Sequence, residues 1–351
     1  MKYIGIDIGM RRCNVCIMDM KKNILEEITY DNRLADASAL AMRIARRYKE
    51  CKAVCESTGN MWIKTFEGFE KAGIPITLAN PLKLKIISQA GTKTDKIDAR
   101  VLARLLSSDM VPACHVPERR VRSQKQILRH RIALVQDRTR VSNRAGRLLD
   151  KYDVTLQGRR MAGARNLRML ADAPLQNPDD EFVLHQIVRE IRNINEEIAA
   201  VDGRIREMAL ESEDAKLIMS MPGLDAFGAM LMALEIDGIG RFKGPKQLIA
   251  WAGLCPTVSQ SGRSSHHGRM RKDSNRRANW IMNQAAHTAV RCDARMKAAY
   301  ERARKAHPHQ VAISHVSHKM LTIIWHMLQN RTTYDGKKDA LYARKLKKLK
   351  T

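Results

Sequence analysis

The sequence predicts an α/β domain followed by mostly helical regions, and three patterns predict this order. In the first third of the chain, apolar runs of strand length alternate with helically spaced apolar residues, which is typical of a mixed sheet covered by helices. Residues 184–208 carry an uninterrupted three-four apolar repeat, the mark of a coiled coil. The region beyond residue 217 also has helical spacing. We therefore expect an α/β domain, a helical coiled-coil middle and a mostly helical C-terminal domain.

The first predicted domain, residues 1–118, opens with a hairpin. Residues 2–8 form an apolar strand, residues 9–12 form a turn, and strand-like residues resume at 14–18. Further strands are predicted at 53–55 and 74–78, and helices over 37–49 and 95–106.

The middle domain, residues 119–214, contains two long helical patterns. The a/d positions of the second are Leu184, Ile187, Ile191, Ile194, Ile198, Val201, Ile205 and Met208. Such a seam needs a facing helix. The basic stretch 119–150 of the same chain and a copy in another subunit are both acceptable partners, and the sequence favours neither.

The last predicted domain, residues 215–340, is compact and helical, with Met221-Pro222-Gly223-Leu224 opening a helix. Residues 341–351 form a basic tail, whose Lys-rich end is predicted to be disordered.

The charge of the chain points to nucleic acid. Lys and Arg number 63 against 37 Asp and Glu, a formal charge of +26. Net charge is positive in 1–110, 111–170 and 241–351 but negative in 171–240, so we expect two polyanion-binding regions separated by an acidic element. No apolar run reaches the roughly 20 residues of a membrane span, and seven cysteines without an export signal argue against a disulfide framework. The expected protein is cytoplasmic, nucleoid-associated and independent of membranes.

Four carboxylates in the first domain form a candidate metal site. Asp7 lies at the end of an apolar strand, Glu56 follows another, and Asp95 and Asp98 share one face of a helix. Two Mg²⁺ ions about 3.5–4 Å apart need such hard oxygen ligands in phosphoryl transfer. This order of acids is that of a ribonuclease-H-like, RuvC-like nuclease core. The structural alternative makes Asp95 a helix cap, pairs Asp98 with Lys or Arg, and leaves Glu56 in a surface turn.

Other metal signals are weaker. Cys13 and Cys16 are three apart on a strand and face opposite sides, so we interpret them as a core and a surface thiol. His307, His309, His315, His318 and His326 have no Cys or carboxylate companions nearby, and a solvated basic helix explains them better than zinc.

Serines lie within a few positions of four basic side chains over residues 257–272. Arginines at that density clamp phosphate and stabilise a transferring phosphoryl group, so attack by serine on a phosphodiester is plausible. The alternative is a loop that binds phosphate passively.

These residues carry a family resemblance. The string Lys93-Thr94-Asp95-Lys96-Ile97-Asp98-Ala99-Arg100, with the upstream acids, resembles the DEDD-type transposases of the insertion-sequence family numbered 110. The segment from Met221-Pro222-Gly223-Leu224 through Gly253-Leu254-Cys255-Pro256 to Ser261-Gly262 resembles their C-terminal domain. The chain departs from the family at Ser274 and Asn279, where the family usually has Gly and Arg.

The resemblance implies a RuvC-like domain holding Mg²⁺ through Asp7, Glu56, Asp95 and Asp98, and a nucleophilic serine, Ser261, with Ser259 its nearest competitor. It further implies a structured guide RNA that pairs with donor and target double-stranded DNA. The implied assembly is a dimer or tetramer whose active site joins the acidic domain of one subunit to the serine domain of another. The residues expected to contact nucleic acid are Arg119, Arg120, Arg122, Lys125, Arg129, Arg263, Arg269, Arg271, Lys272, Arg276 and Arg277.

Two other functions fit the same sequence. In one, the protein is a RuvC-like nuclease or junction resolvase in which the acids activate water and Ser261 only binds the DNA backbone. In the other, it is a non-catalytic RNA- or DNA-binding scaffold. The four acids argue against the scaffold, since carboxylates repel phosphates unless a cation intervenes.

Overall fold

A computed structural model describes residues 1–57, 59–87, 95–154, 161–172, 175–261, 264–270 and 274–350. For residues 86, 95–97, 257–261, 264–267 and 269–270 it describes the backbone only. The chain forms two compact units, Met1–Pro117 and Glu118–Thr351. Each unit is described below by itself.

The first unit is a mixed sheet covered by helices, as the sequence predicts, and it has a fifth strand, Ile24–Asp31, that the sequence patterns did not reveal. Its strands are β1 (Lys2–Ile8), β2 (Arg12–Met18), β3 (Ile24–Asp31), β4 (Cys51–Glu56) and β5 (Ile76–Ala79). Its helices are α1 (Leu34–Arg47), α2 (Trp62–Lys71), α3 (Pro81–Ile87) and α4 (Asp95–Ser107). The strand order is β3-β2-β1-β4-β5. The β1–β2 and β2–β3 pairs are antiparallel, whereas β1–β4 and β4–β5 are parallel.

Both faces of this sheet are buried. Ile4 and Ile6 share an apolar cluster with α1 and α2 on one face, while Cys16 packs against Ala99 of α4 on the other. Strand residues alternate between faces, so each face receives its own row of apolar side chains. Cys13 and Cys16 do face opposite sides, but neither is a surface thiol: both are fully buried because helices cover both faces.

The second unit is mostly helical and carries one β-hairpin. Its helices are α5 (Arg119–Leu149), α6 (Ala164–Ala171), α7 (Pro178–Glu211), α8 (Glu213–Met219), α9 (Ala226–Ile236), α10 (Pro245–Trp251), α11 (Arg276–Cys292), α12 (Ala294–Arg304), α13 (His309–Asn330) and α14 (Asp339–Lys347). The hairpin strands are β6 (Pro256–Ser261) and β7 (Ser264–Met270), paired antiparallel. In the part of the chain that the structure describes, no helix is both long and apolar enough to cross a membrane.

The basic helix α5 packs antiparallel against the heptad helix α7 of the same chain. Polar contacts join the two helices in reverse order: Arg120–Glu211 at 3.1 Å, Arg131–Asp202 at 3.0 Å, Arg138–Asn195 at 2.9 Å, and Arg144–Glu190. Most of the predicted seam is buried, with Ile194 and Val201 half-buried. The facing surface that the heptads require is therefore supplied within the chain, and the acidic side of α7 neutralises part of α5.

The segment Met221-Pro222-Gly223-Leu224 is a tight turn and does not open a helix. Gly223 has a φ of +84°, and a Cβ at this position would lie 2.2 Å from the carbonyl oxygen of Ala285 on α11. Only glycine allows both the left-handed backbone and this close approach. The following helix, α9, begins at Ala226 with Asp225 as its N-cap, accepting from the Gly228 amide at 2.8 Å.

The predicted disordered tail is instead an ordered helix, α14. Lys345 Nζ donates to the backbone carbonyls of Met219, Met221 and Leu224 at 2.8, 3.2 and 2.7 Å. Leu349 is buried in the main core of the unit. The prediction of disorder was wrong because the Lys-rich composition shows neither that Leu349 is buried nor that Lys345 has hydrogen-bond partners distant in the sequence.

Candidate acidic site and serine hairpin

The carboxyl ends of β1 and β4 bring two of the predicted acids side by side. The parallel pairing aligns Ile6 with Cys55. The next residue of each strand, Asp7 and Glu56, therefore occupies neighbouring positions. Adjacent strands lie about 4.8 Å apart and residues in register point to the same face. Both carboxylates are half-buried, so they share a partly desolvated edge of the sheet.

Helix α4 lies directly on the face that carries these acids. A Cβ on Gly5 would lie 2.1 Å from the carbonyl oxygen of Ala99 and 2.4 Å from the amide nitrogen of Ala103. Glycine at this strand position lets the two backbones approach to a distance that any side chain would prevent. Asp7 is two residues further along β1, so it lies on the same face as Gly5 and next to α4.

The direction of α4 sets its first turn near the acids. Ser108, at the end of the helix, accepts a hydrogen bond from Lys22 Nζ at 3.2 Å. Lys22 lies in the turn after β2, which in this antiparallel pair is the amino end of β1. The opposite end of α4, with Asp95 and Asp98, therefore lies toward the carboxyl end of β1. Asp98 is half-buried, and the side chain of Asp95 lies outside the described residues.

The cation nearest in sequence to Asp98 among the described side chains is engaged elsewhere. Arg100 binds Glu27 on β3 through two hydrogen bonds of 2.7 and 2.8 Å. Asp98 forms no ion pair with any described side chain. Over the same set of residues, no group of three or more His, Cys, Asp or Glu side chains has metal-binding geometry. The four-carboxylate site stays a prediction, since one of its members is not among them.

Ser261 is the last residue of β6 and pairs with Ser264 across the end of the hairpin. Ser261 therefore lies at the end of a strand, next to residues 262 and 263, which are outside the described residues. Ser259 is two residues earlier, opposite His266. Arg263, Arg271 and Lys272 lie outside the described residues, and only the backbone of Arg269 is described.

The other end of the hairpin is anchored by two asparagines. The Asn275 amide donates to the carbonyl of Trp251 at 2.8 Å. Asn279 Nδ2 donates to the carbonyls of Ala252 and Gly253 at 3.1 and 3.2 Å. Asn279, which replaces the arginine usual in the family, thus ties α11 to the segment that leads into β6.

Lys125 is wrongly assigned to a nucleic-acid surface by the sequence. Its side chain is 9% exposed, and Nζ lies 3.5 Å from Glu235 Oε2 on α9. Burial lowers the pKa of Lys125, and the Glu235 carboxylate opposes that shift. Glu235 itself was missed. The signal that could have found it is an acid placed directly after the longest apolar run of the chain.

The other described basic candidates are accessible or half-buried. Arg119 and Arg120 are exposed at the start of α5, and Arg276 and Arg277 are exposed in the first turn of α11. Arg129 is half-buried, and burial followed by the nearby Arg277 guanidinium lowers its pKa. Arg129 Nε is buried and has no hydrogen-bond partner among the described atoms.

The predicted histidines are exposed on and before α13. The His307 and His315 rings stack with centroids 5.2 Å apart, and Tyr300 Oη lies 2.7 Å from His309 Nδ1. These contacts use the rings of His307, His309 and His315 for stacking and hydrogen bonding.

Comparisons with known proteins give the family. A DEDD-type family profile described as "Transposase" matches residues 4–153, and the "Transposase IS116/IS110/IS902 family" profile matches residues 215–301. The transposase for insertion sequence element IS1111A of Coxiella burnetii is 26% identical over 265 residues, 74% of this chain and 70% of that protein. The pilin gene-inverting protein of Moraxella bovis is 24% identical over 274 residues, 75% of each chain.

Solved structures of RuvC from Thermus thermophilus also align. The complex with a Holliday junction substrate has 13% identity and a TM-score of 0.26, covering 32% of this chain and 99% of that one. Family membership rests on the sequence profiles and not on this alignment. The chain combines an acid-bearing α/β unit with a helical unit of transposase type. It belongs to the IS110/IS116/IS902 family of transposases.

Proposed function

We propose that this protein is the transposase of an insertion sequence that cuts and rejoins DNA through a covalent phosphoserine. The observation that carries the proposal is the juxtaposition of Asp7 and Glu56 at the carboxyl ends of two neighbouring strands, on the face against which α4 packs. A half-buried carboxylate loses part of its hydration, and a bound cation compensates for that loss. Such carboxylates are therefore expected where a protein binds a metal ion together with phosphate.

The donor set fits magnesium. Asp7, Glu56, Asp95 and Asp98 would supply hard oxygen ligands, which Mg²⁺ prefers, and phosphate and water would complete its coordination. Bound there, Mg²⁺ would supply charge stabilisation to a transferring phosphoryl group. Two ions per site are expected from the number of carboxylates.

The serine performs the exchange. Ser261 Oγ attacks phosphorus and loses its proton, a phosphoserine bond forms, and the other DNA end leaves as a hydroxyl. Attack by a hydroxyl of a second strand then breaks the phosphoserine bond and restores the serine. The described arginines at the start of α5 and α11 bind phosphates.

The partners follow from the family. The donor and target are double-stranded DNA, a structured non-coding RNA guides the choice of site, and a dimer or tetramer combines the acidic unit of one subunit with the serine unit of another. The positive charge of 111–170 and 241–351 supports a nucleic-acid partner for each region.

The test is a covalent adduct. Purified protein with DNA, guide RNA and Mg²⁺ should give a protein–DNA species that survives denaturing electrophoresis, because a phosphoserine ester is covalent. Ser261→Ala should lose the adduct, and Ser259→Ala, the matched control on the same strand, should keep it. Loss of the adduct in Ser259→Ala but not in Ser261→Ala would identify Ser259 as the nucleophile. Cleavage without any adduct in the wild type would favour hydrolysis, and neither cleavage nor adduct would favour a binding scaffold.

A further inference from the structure

Glu235 is a buried carboxylate on an otherwise apolar helix. It is 6% exposed, and its neighbours on α9 from Phe227 to Ile236 are all buried. It lies in the last turn, where the helix dipole disfavours a negative charge. A carboxylate in such a place is costly unless it is paired and hydrogen-bonded. The side chains that contact Glu235 therefore indicate its structural role.

Two side chains converge on one oxygen of Glu235. Asn275 Nδ2 donates to Oε2 at 2.8 Å, and Lys125 Nζ lies 3.5 Å from the same atom. The exposed fractions of the Lys125 and Glu235 side chains are 9% and 7%. In this dry setting the lysine supplies the countercharge, and the asparagine supplies a directed hydrogen bond.

Asn275 contacts three helices through its polar groups. Its Oδ1 accepts from the amides of Arg277 and Ala278 at 3.1 and 3.0 Å and caps α11. Its backbone amide donates to Trp251 at the end of α10. Its Nδ2 is held by Glu235 on α9. The orientation of one side chain thus sets the meeting point of three helices.

That meeting point is the base of the serine hairpin. Trp251 precedes β6 by five residues, and Asn275 follows β7 by five. Ser261 is at the opposite end of β6, which at about 3.3 Å per residue is roughly 17 Å from Pro256. A small rotation at the base is therefore amplified at the serine, and a displacement of about 1 Å is enough to cost about a hundredfold in rate.

We propose that Glu235 is a positioning residue for the serine hairpin, acting through Asn275 and paired with Lys125. The inference rests on the proposed role of Ser261. It assigns the lone acid of α9 to the reaction instead of to the stability of the core, and it links the basic helix α5 to the base of the hairpin.

The experiment distinguishes the hydrogen bond between Asn275 and Glu235 from the role of Asn275 as the N-cap of α11. Asn275→Asp keeps an N-cap oxygen but replaces the donor to Glu235 with a second carboxylate. The double variant Glu235→Gln/Asn275→Asp reverses the hydrogen bond and leaves one negative charge near Lys125. Asn177→Asp is the matched control, because Asn177 caps α7 in the same way, accepting from the Asp179 amide at 2.9 Å on an exposed surface. Adduct rate, nucleic-acid affinity and Tm are measured for all four proteins.

We expect Asn275→Asp to form the adduct at least tenfold more slowly at saturating DNA, with affinity within twofold of the wild type. The double variant should recover most of the rate, and Asn177→Asp should match the wild type. An unchanged rate in Asn275→Asp overturns the proposal, as does a loss that the double variant does not restore.

Hydrogen exchange tests the positioning role of Glu235 without relying on adduct formation. If the wild type forms no adduct, the proposed function fails, but exchange of the amides of residues 257–270 still reports the anchoring. Faster exchange there in Asn275→Asp, reversed in the double variant, supports the positioning role. Equal exchange in the three proteins overturns it.

Discussion

A Cβ on Gly5 would lie 2.1 Å from the carbonyl oxygen of Ala99, so α4 rests on the bare backbone of β1. This contact brings the helix that carries Asp95 and Asp98 against the strand that carries Asp7. The distance between Asp7 and the acids of α4 therefore depends on Gly5, which has no side chain.

Gly5→Ala should push α4 away from the sheet. Overpacking against a backbone atom costs about 1–3 kcal/mol, and here neither partner is a flexible side chain. We expect a loss of that size in the free energy of unfolding by urea denaturation, together with loss of cleavage. Gly240→Ala is the control, since a Cβ there meets nothing within 4 Å. Wild-type stability and cleavage in Gly5→Ala would contradict the close approach.

Asp7→Asn should abolish Mg²⁺-dependent cleavage while leaving nucleic-acid affinity intact or slightly raised. The amide keeps the shape but removes a ligand charge that contributes several kcal/mol in the transition state, a rate loss on the order of a thousandfold. The rise of Tm with added Mg²⁺ should also shrink, because fewer ligands stabilise the bound ion.

The control for the acidic site is Asp109→Asn. Asp109 is exposed just beyond α4 and has a φ of +54°, a conformation that asparagine tolerates. Its cleavage rate and Mg²⁺ response should equal those of the wild type. If Asp7→Asn behaved in the same way, the metal assignment would be wrong.

Ile191→Asp should unfold the α5–α7 pair within one chain. Ile191 is fully buried, and a charge at this position has no partner to offset its desolvation. We expect a loss of several kcal/mol in unfolding free energy that is independent of protein concentration, because the facing seam belongs to the same chain. Phe182→Asp, at a position 63% exposed on the same helix, should change stability by no more than about 0.5 kcal/mol. A concentration-dependent loss in Ile191→Asp would indicate a seam between subunits.

Lys345→Met should loosen the C-terminal helix. The substitution leaves the carbonyls of Met219, Met221 and Leu224 without their ammonium donor, at a cost of about 1–3 kcal/mol. Burial lowers the pKa of Lys345, and the nearby Asp225 carboxylate opposes that shift. Lys347→Met, exposed on the same helix, should leave thermal unfolding unchanged. Equal melting of the two variants would show that the hydrogen bonds of Lys345 do not stabilise the unit.

Local sequence patterns were enough to predict those elements whose apolar residues repeat with the period of a strand or a helix. The apolar run of β1, its turn and β2 predicted the hairpin, and the three-four repeat from Leu184 to Met208 predicted most of α7. These signals are local because the alternation of a strand and the 3.6-residue turn of a helix are properties of the backbone itself. The acids at strand ends were visible for the same reason, since a carboxylate after an apolar run stands out.

Tertiary structure alone decided which surfaces meet. The seam of α7 could face any apolar helix, because hydrophobic burial has no direction, and only the folded chain selects α5. Asp7 and Glu56 become neighbours through the pairing of β1 with β4, a strand order that neither strand encodes. Lys125 was misread for the same reason: a lysine on a basic helix looks solvated until Glu235, more than a hundred residues away in the chain, is brought beside it. The sequence determined the elements and the residue types of the candidate sites, whereas non-local packing determined which charges are buried, which are paired, and which remain for nucleic acid.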